Sequence, residues 1–189
     1  MTPSTAPPAS GPARATRRAP SLVLVNTGDG KGKTTAAMGT ALRALARRWA
    51  VCVVQFVKSG RWHSGEVTLL RSLGAQCHTL GDGFSWESTD LERSAEMARR
   101  AWDLARRAIG SGEFDLVLLD EVTYPINWGW IEERDVVATI AARPPHVNVI
   151  LTGRDASGPL IDLADTVSEV RKVKHAFDAG IRAAKGIDF

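Results

Sequence analysis

An apolar run, Ser21-Leu22-Val23-Leu24-Val25-Asn26, passes directly into Thr27-Gly28-Asp29-Gly30-Lys31-Gly32-Lys33-Thr34-Thr35, and residues 36–48 then carry Ala, Met and Leu at helical spacing with a basic last turn. Few folds accommodate all three segments in that order. A strand that is apolar on every residue is one buried on both faces, as in a parallel sheet. A glycine-rich turn running into a helix gathers backbone N–H groups into an anion nest, and the helix dipole adds positive potential there. The succession therefore reads as strand, phosphate-binding loop and helix, and the chain as a nucleotide-binding protein. In that loop Lys33 reaches phosphate oxygens and the Thr34 hydroxyl is placed to ligate Mg²⁺. A strict form of the pattern has glycine five positions before Gly32, where this chain has Thr27, so the loop is a lysine-rich variant. A solvated basic turn is the alternative for Gly-Lys-Gly-Lys-Thr, and the flanking strand and helix argue against it.

The rest of the chain keeps the same rhythm. Residues 50–57 read as a second strand, 66–73 as a short helix, 75–80 as a third strand and 90–109 as a helix with Leu91, Ala95, Ala98, Trp102 and Ala105 on one stripe. Residues 114–120 read as a strand, 132–142 as a helix and 147–151 as a strand, followed by a last pair of elements at 160–164 and 166–173. Alternation of apolar strands with amphipathic helices implies an α/β fold of the P-loop NTPase-like kind, a mostly parallel sheet with helices on both faces and ligands at the carboxyl ends of its strands.

The strand Phe114-Asp115-Leu116-Val117-Leu118-Leu119-Asp120-Glu121 delivers two carboxylates at its tip. Asp at a strand end also caps a following helix. Combined with the phosphate loop, the metal-side reading is favoured, with Asp120 and Glu121 as the acids and Glu121 a candidate for direct coordination. The loops after the second and third strands, residues 58–66 and 81–88, set Trp62, Phe84 and Trp86 among glycines and polar residues. Such aromatics either plug local gaps or lie against a flat apolar ligand. Trp128 and Trp130 beyond the acidic strand read as packing or dimer contacts.

With these residues in place the chain resembles the ATP:corrinoid adenosyltransferases of the phosphate-loop class. The resemblance runs over residues 22–189 and rests on the loop with its Thr27, on Gly83-Phe84-Ser85-Trp86-Glu87, on Leu119-Asp120-Glu121-Val122-Thr123-Tyr124, on Ala142-Arg143-Pro144 and on Leu151-Thr152-Gly153-Arg154. Its most specific part is the ending, residues 163–170, 173–181 and Gly186-Ile187-Asp188-Phe189. The resemblance implies that a Co(I) corrinoid attacks the 5′ carbon of ATP and triphosphate leaves intact, within cobalamin biosynthesis. It implies ATP held by residues 27–35 with the γ-phosphate in the loop, Lys31 and Lys33 on the phosphates, and Mg²⁺ (Mn²⁺ as the alternative) at Thr34, Asp120 and Glu121. It further implies Phe84 and Trp86 against the lower face of the corrinoid, where they remove the axial ligand and ease reduction to Co(I), with Trp62 bordering it. A flavoprotein reductant, a homodimer and a cytoplasmic setting belong to the same expectation. Asp29 stands where the family has Asn, and a carboxylate there repels a triphosphate unless it points outward or joins metal or water contacts. Arg154 reads equally as a phosphate or ribose contact and as a surface ion pair, and His175 as structural or functional.

Charge narrows the partners. The formal net charge of +3 equals the contribution of Arg14, Arg17 and Arg18 in residues 1–20, which hold no acid, so residues 21–189 are balanced and offer no basic stripe for nucleic acid. Residues 1–20, rich in Pro, Ala, Ser and Thr, read as a disordered tail ahead of one domain at 21–189. No segment approaches the ~20 apolar residues of a membrane span. Cys52 and Cys77 fall in expected strands, where Cys acts as a small buried hydrophobe, and the four histidines are scattered without zinc-type spacing. A phosphoryl-transferring NTPase or kinase is the main rival, lacking here an obvious acceptor base or arginine finger.

Overall fold

A computed structural model of the chain describes residues 17–58, 64–81 and 91–188. Six strands form one sheet in the order β3-β2-β4-β5-β1-β6, every neighbouring pair parallel. They are β1 Val23–Thr27, β2 Val51–Gln55, β3 Gln76–Thr79, β4 Leu116–Asp120, β5 Asn148–Thr152 and β6 Thr166–Glu169. The helices are α1 Lys33–Leu45, α2 Gly65–Ser72, α3 Leu91–Ser111, α4 Thr123–Asn127, α5 Glu133–Ala141 and α6 Gly158–Leu163, with a 3-10 turn at Ala176–Ala179.

Strand periodicity sorts the core into two layers. Cys52, Val54, Val117, Leu119, Val149 and Leu151 face α3, α5 and α6, meeting Ala101, Trp102, Ala105, Ile109, Val136, Ile140 and Leu160. Their sequence neighbours Val51, Val53, Leu116, Leu118 and Ile150 face α1 and α2, meeting Ala37, Met38, Ala41, Val67 and Leu70. Both faces are covered, so the central strands β2 and β4 are buried at every residue, as their continuous apolar runs require. Small Ala residues on α1 and α3 let these helices approach the sheet closely, and Trp102 anchors α3 to α5 by donating its indole N–H to Asp135 at 2.6 Å.

The expected elements are present, with boundaries moved for identifiable reasons. Helix α1 begins at Lys33, three residues before the expected start at 36, because the last residues of the loop are already its first turn. Strand β6 stops at Glu169 instead of reaching 173, because its partner β1 ends at Thr27, the residue in register with Glu169. Helix α4 was not expected at all. Cys52 behaves as a buried apolar residue, and burial pushes its thiol up to about 12. Among the described residues no helix is long and apolar enough to cross a membrane.

Past β6 the chain runs along the loop between β1 and α1. Val170 N donates to Thr27 O at 2.8 Å and Gly30 N donates to Val170 O at 2.6 Å. A Cβ on Gly30 would lie 2.7 Å from Val170 O and 2.8 Å from the Arg171 backbone, so the glycine is demanded by this docking as well as by any ligand. Gly30→Ala is therefore expected to destabilise the protein by about 1–3 kcal/mol, the cost of overpacking against backbone. Urea denaturation checks this; an unchanged midpoint would show that the segment shifts away freely.

Candidate active site

The carboxyl ends of β1, β5, β4 and β2 lie side by side, and adjacent strands there send their chains to opposite faces: β1 into α1 but β5 into α6, β2 into α2 but β4 toward α5. Such switch points open a crevice at the sheet edge. Register also aligns a polar row one residue beyond the apolar core on the α1 side. Asn26 pairs with Thr152, Asp120 with Gln55, and Gln55 with Thr79. The strands that read as apolar thus end in a hydrogen-bonded belt.

Asp120 is the centre of that belt and is fully buried. Its Oδ1 accepts from Thr34 Oγ1 at 2.7 Å and Thr152 Oγ1 at 2.8 Å, and its Oδ2 from Gln55 Nε2 and Lys58 Nζ, both at 2.9 Å. Burial alone would raise its pKa, but the Lys58 ammonium and these hydrogen bonds hold the carboxyl below its usual range. Lys58 shows the mirror effect, burial working to lower it and Asp120 raising it further. Thr34 Oγ1, at the start of α1, thus ties the loop's helix to the acidic strand.

Glu121 differs from its neighbour. Its backbone is left-handed, with φ 63°, and its N–H donates to Thr152 Oγ1 at 2.9 Å. Its carboxyl makes no hydrogen bond to a described residue, and burial followed by repulsion from Asp120 pushes its pKa up to about 7. Lys58, Lys33 and Arg154 act in the opposite direction, stabilising its ionised form. Among the described residues no three His, Cys, Asp or Glu gather as a metal site. Mg²⁺ is commonly held by one or two carboxylates with substrate oxygens completing the set, so the Thr34 hydroxyl and Glu121 carboxylate at the cavity fit it, whereas Asp120, its oxygens filled by four donors, stands behind Thr34 rather than facing the cavity.

In the loop Lys33 folds back, its Nζ 2.6 Å from Gly28 O and 2.7 Å from Gly30 O, so that the ammonium lies inside the turn. Burial and then Arg154 lower its pKa. Gly28 and Gly32 have φ of 94° and 121°, a region favouring glycine. Thr27, where a strict pattern has glycine, accepts Ala156 N on its hydroxyl at 3.1 Å and so fastens the β5–α6 connection. Asp29 is largely exposed at the cavity rim, with its Oδ1 3.7 Å from Arg154 Nε. Lys31 pairs with Asp188 at 2.8 Å. No acid lies in the first turn of α1, leaving its positive end open to an anion.

Helix α4 aims Arg154. Thr123 Oγ1 donates to Arg154 O at 2.7 Å, and Asn127 Nδ2 to Arg154 O and Asp155 O at 3.4 and 3.1 Å. Gly153, at φ 143°, leaves no room for a Cβ beside Thr123. The resulting cavity, about 430 Å³, is lined by loop residues 29–35 together with Lys58, Ser64, Glu66, Glu121, Tyr124, Arg154, His175 and Asp188. The fold thus gathers residues 29–35 of the loop, Glu121 and Arg154 at one cavity with Asp120 beneath it, whereas Thr27 and Gly28 lie outside its lining. Trp62, Phe84 and Trp86 lie outside the described residues.

Lys58, Tyr124, Thr152 and Asp188 were not singled out from sequence as site residues. Lys58 carried a usable signal, since it directly follows an apolar strand at the same sheet edge. Of the tryptophans, Trp130 packs on the core and Trp128 bridges it to Tyr124, with ring centroids 4.6 and 5.6 Å apart respectively. His175 lines the cavity, and its Nδ1 accepts Phe177 N at 3.1 Å.

Comparison with known proteins matches this picture. The corrinoid adenosyltransferase CobA of Salmonella typhimurium LT2 is 44% identical over 168 residues, covering 89% of this chain and 85% of that protein. The corrinoid adenosyltransferase of Escherichia coli K12 matches with the same identity and coverage, and that of Pseudomonas aeruginosa is 41% identical over 170 residues, 89% of this chain and 83% of its own. The profile of ATP:corrinoid adenosyltransferase BtuR/CobO/CobP matches residues 19–189, nearly the whole chain with its loop, acidic strand and ending, and the protein belongs to that family.

Proposed function

We propose that this chain transfers the 5′-deoxyadenosyl group of ATP to the Co(I) centre of a corrinoid and releases triphosphate, in the biosynthesis or salvage of adenosylcobalamin. The observation that carries this reading is that Lys31, Lys33, Lys58 and Arg154 converge on one cavity beside the positive end of α1. Co(I) supplies the electron pair for a new bond to C5′, the C5′–O5′ bond breaks, and O5′ leaves with the intact triphosphate. No proton need move at the reacting carbon. The protein's tasks are alignment of cobalt with C5′ and neutralisation of a departing polyanion, which are positioning and electrostatics.

Residues 27–35 hold the triphosphate in this reading, with Lys33 turning from the carbonyls of Gly28 and Gly30 onto phosphate oxygens. Lys31 and Arg154 approach from the rim, and Lys58 lies beneath them against Asp120. Thr34 and Glu121 would hold Mg²⁺, or Mn²⁺ in its place, with Asp120 fixing the Thr34 hydroxyl from beneath, and the ion when bound shares the charge of the leaving group. On the family resemblance, Phe84 and Trp86 would keep a donor from the lower axial position of the corrinoid so that Co(II) is more readily reduced, with Trp62 as a bordering residue. A flavoprotein reductant, a homodimer and a cytoplasmic setting complete the reading on the strength of the family resemblance.

Anaerobic incubation with MgATP and a reduced Co(I) corrinoid is expected to yield a light-sensitive adenosylated corrinoid and triphosphate in equal amounts; ADP with an unchanged corrinoid would refute the reading. Phe84→Ala is expected to slow the reaction when Co(II) must be reduced in place far more than when Co(I) is supplied, and equal slowing in both assays would remove the axial role. Asp120→Asn removes the ion-pair partner of Lys58, whose side chain is 27% exposed, and buries an amide among four donors. It is expected to cost about 1–3 kcal/mol in denaturant unfolding, the penalty for buried hydrogen-bonding groups left unmatched, and to weaken MgATP binding in calorimetry; full stability would mean that the donors find other acceptors.

A further inference from the structure

The segment after β6 is fastened to the phosphate loop at both of its ends. At its start the Val170 and Gly30 backbones are bonded, as described above. At its far end Asp188 N donates to Ala184 O at 2.8 Å, and Asp188 Oδ2 accepts Ala184 N at 2.7 Å, so one turn locks its own carboxylate in place. The other oxygen, Oδ1, lies 2.8 Å from Lys31 Nζ. Asp188 is thus a held anion, seated on a lysine of the loop and lining the cavity with it. Among the described residues no carboxylate is paired with Lys33, whose ammonium is bonded to loop carbonyls.

We propose that Asp188 is a positioning residue for product release, competing with triphosphate for the Lys31 ammonium and thereby loosening the loop's hold on the leaving group. This rests on the reading above that the loop receives the triphosphate. The need is chemical. A reaction that expels all three phosphates together leaves the protein holding a polyanion in a site built of lysines and helix amides, and such a product departs slowly. A fixed carboxylate on one of those lysines offers an intramolecular replacement for a phosphate oxygen as the product leaves, and its own charge opposes re-entry. The electrostatic cost falls on the product and the substrate alike, so the residue acts on affinity and turnover and leaves the alignment of C5′ to other groups.

Calorimetry with inorganic triphosphate and Mg²⁺ on the full-length protein tests this. Wild type is expected to bind, and Asp188→Asn, which keeps an acceptor for Ala184 N but loses the charge, to bind about two- to fivefold tighter, the range open to an exposed ion pair. The difference should shrink as salt is raised. Asp188→Glu is expected to return toward wild type. In turnover, Asp188→Asn should be inhibited by triphosphate at lower concentration, with a lower kcat and no rise in KM for ATP. In a Lys31→Gln background the Asp188→Asn effect should vanish. Equal or weaker triphosphate binding by Asp188→Asn, or the same tightening without Lys31, would overturn the proposal while leaving the loop's role intact. Absence of triphosphate binding by wild type would overturn the reading of the loop and this proposal together. Melting temperatures identify a variant whose terminal turn has come apart, and Lys31→Gln alone then decides: it must weaken triphosphate binding by less than Lys33→Gln does, because of these two lysines Lys31 is the one paired with a carboxylate among the described residues.

Discussion

The buried carboxylate of Asp120 is the constraint around which the molecule is arranged. A carboxylate removed from water costs several kcal/mol unless its lone pairs are filled and its charge is matched. Here the Thr34 hydroxyl comes from the start of α1, the Gln55 amide from β2, the Lys58 ammonium from the residues after β2, and the Thr152 hydroxyl from β5. The four donors come from three separate segments of the chain, Gln55 and Lys58 sharing one. The acid is therefore satisfied only when the sheet is assembled in its native order and register, and a register slip of one residue would turn Asp120 and Gln55 to the opposite face. Fold and site share one electrostatic condition, and the phosphate loop is anchored through Thr34 to the strand that carries the acids.

Glu121 gains its character from the same arrangement. With its neighbour already saturated, its own carboxyl is half-buried and beside a negative charge, which raises its pKa to about 7. The glycines of the loop likewise answer two demands. Gly28 and Gly32 supply backbone that turns with positive φ, whereas Gly30 is held to glycine by the Val170 and Arg171 backbone pressed on it. A loop that would read as ligand-shaped alone is also shaped by the chain's own ending.

Much of the fold was legible because strands buried on both faces leave unbroken apolar runs and because α1 and α3 keep their stripes over several turns. Boundaries moved where tertiary partners decide them, as at β6, whose length is set by β1. Helix α4 escaped notice because five residues containing Pro125 carry no period. The glycine-rich loop and the acid pair stand out in the sequence because each is a contiguous stretch. Lys58 on Asp120 and Asp188 on Lys31 join residues 62 and 157 positions apart, a relation that no spacing rule encodes and only the sheet order creates. The tryptophans after α4 were half legible: Trp130 packs on the core, while the aromatic series from Tyr124 toward solvent depends on how α4 is seated.

In the proposed reaction the protein's part is alignment and neutralisation, and none of its groups is assigned as a nucleophile toward C5′. The stereochemical course at that carbon tests this most directly. ATP made chiral at C5′ with deuterium, converted anaerobically and read by NMR of the adenosylated corrinoid, should show inversion, the outcome of a single in-line displacement by cobalt. Retention would contradict the proposal, because it requires a second displacement through an adenosyl group carried by the protein itself.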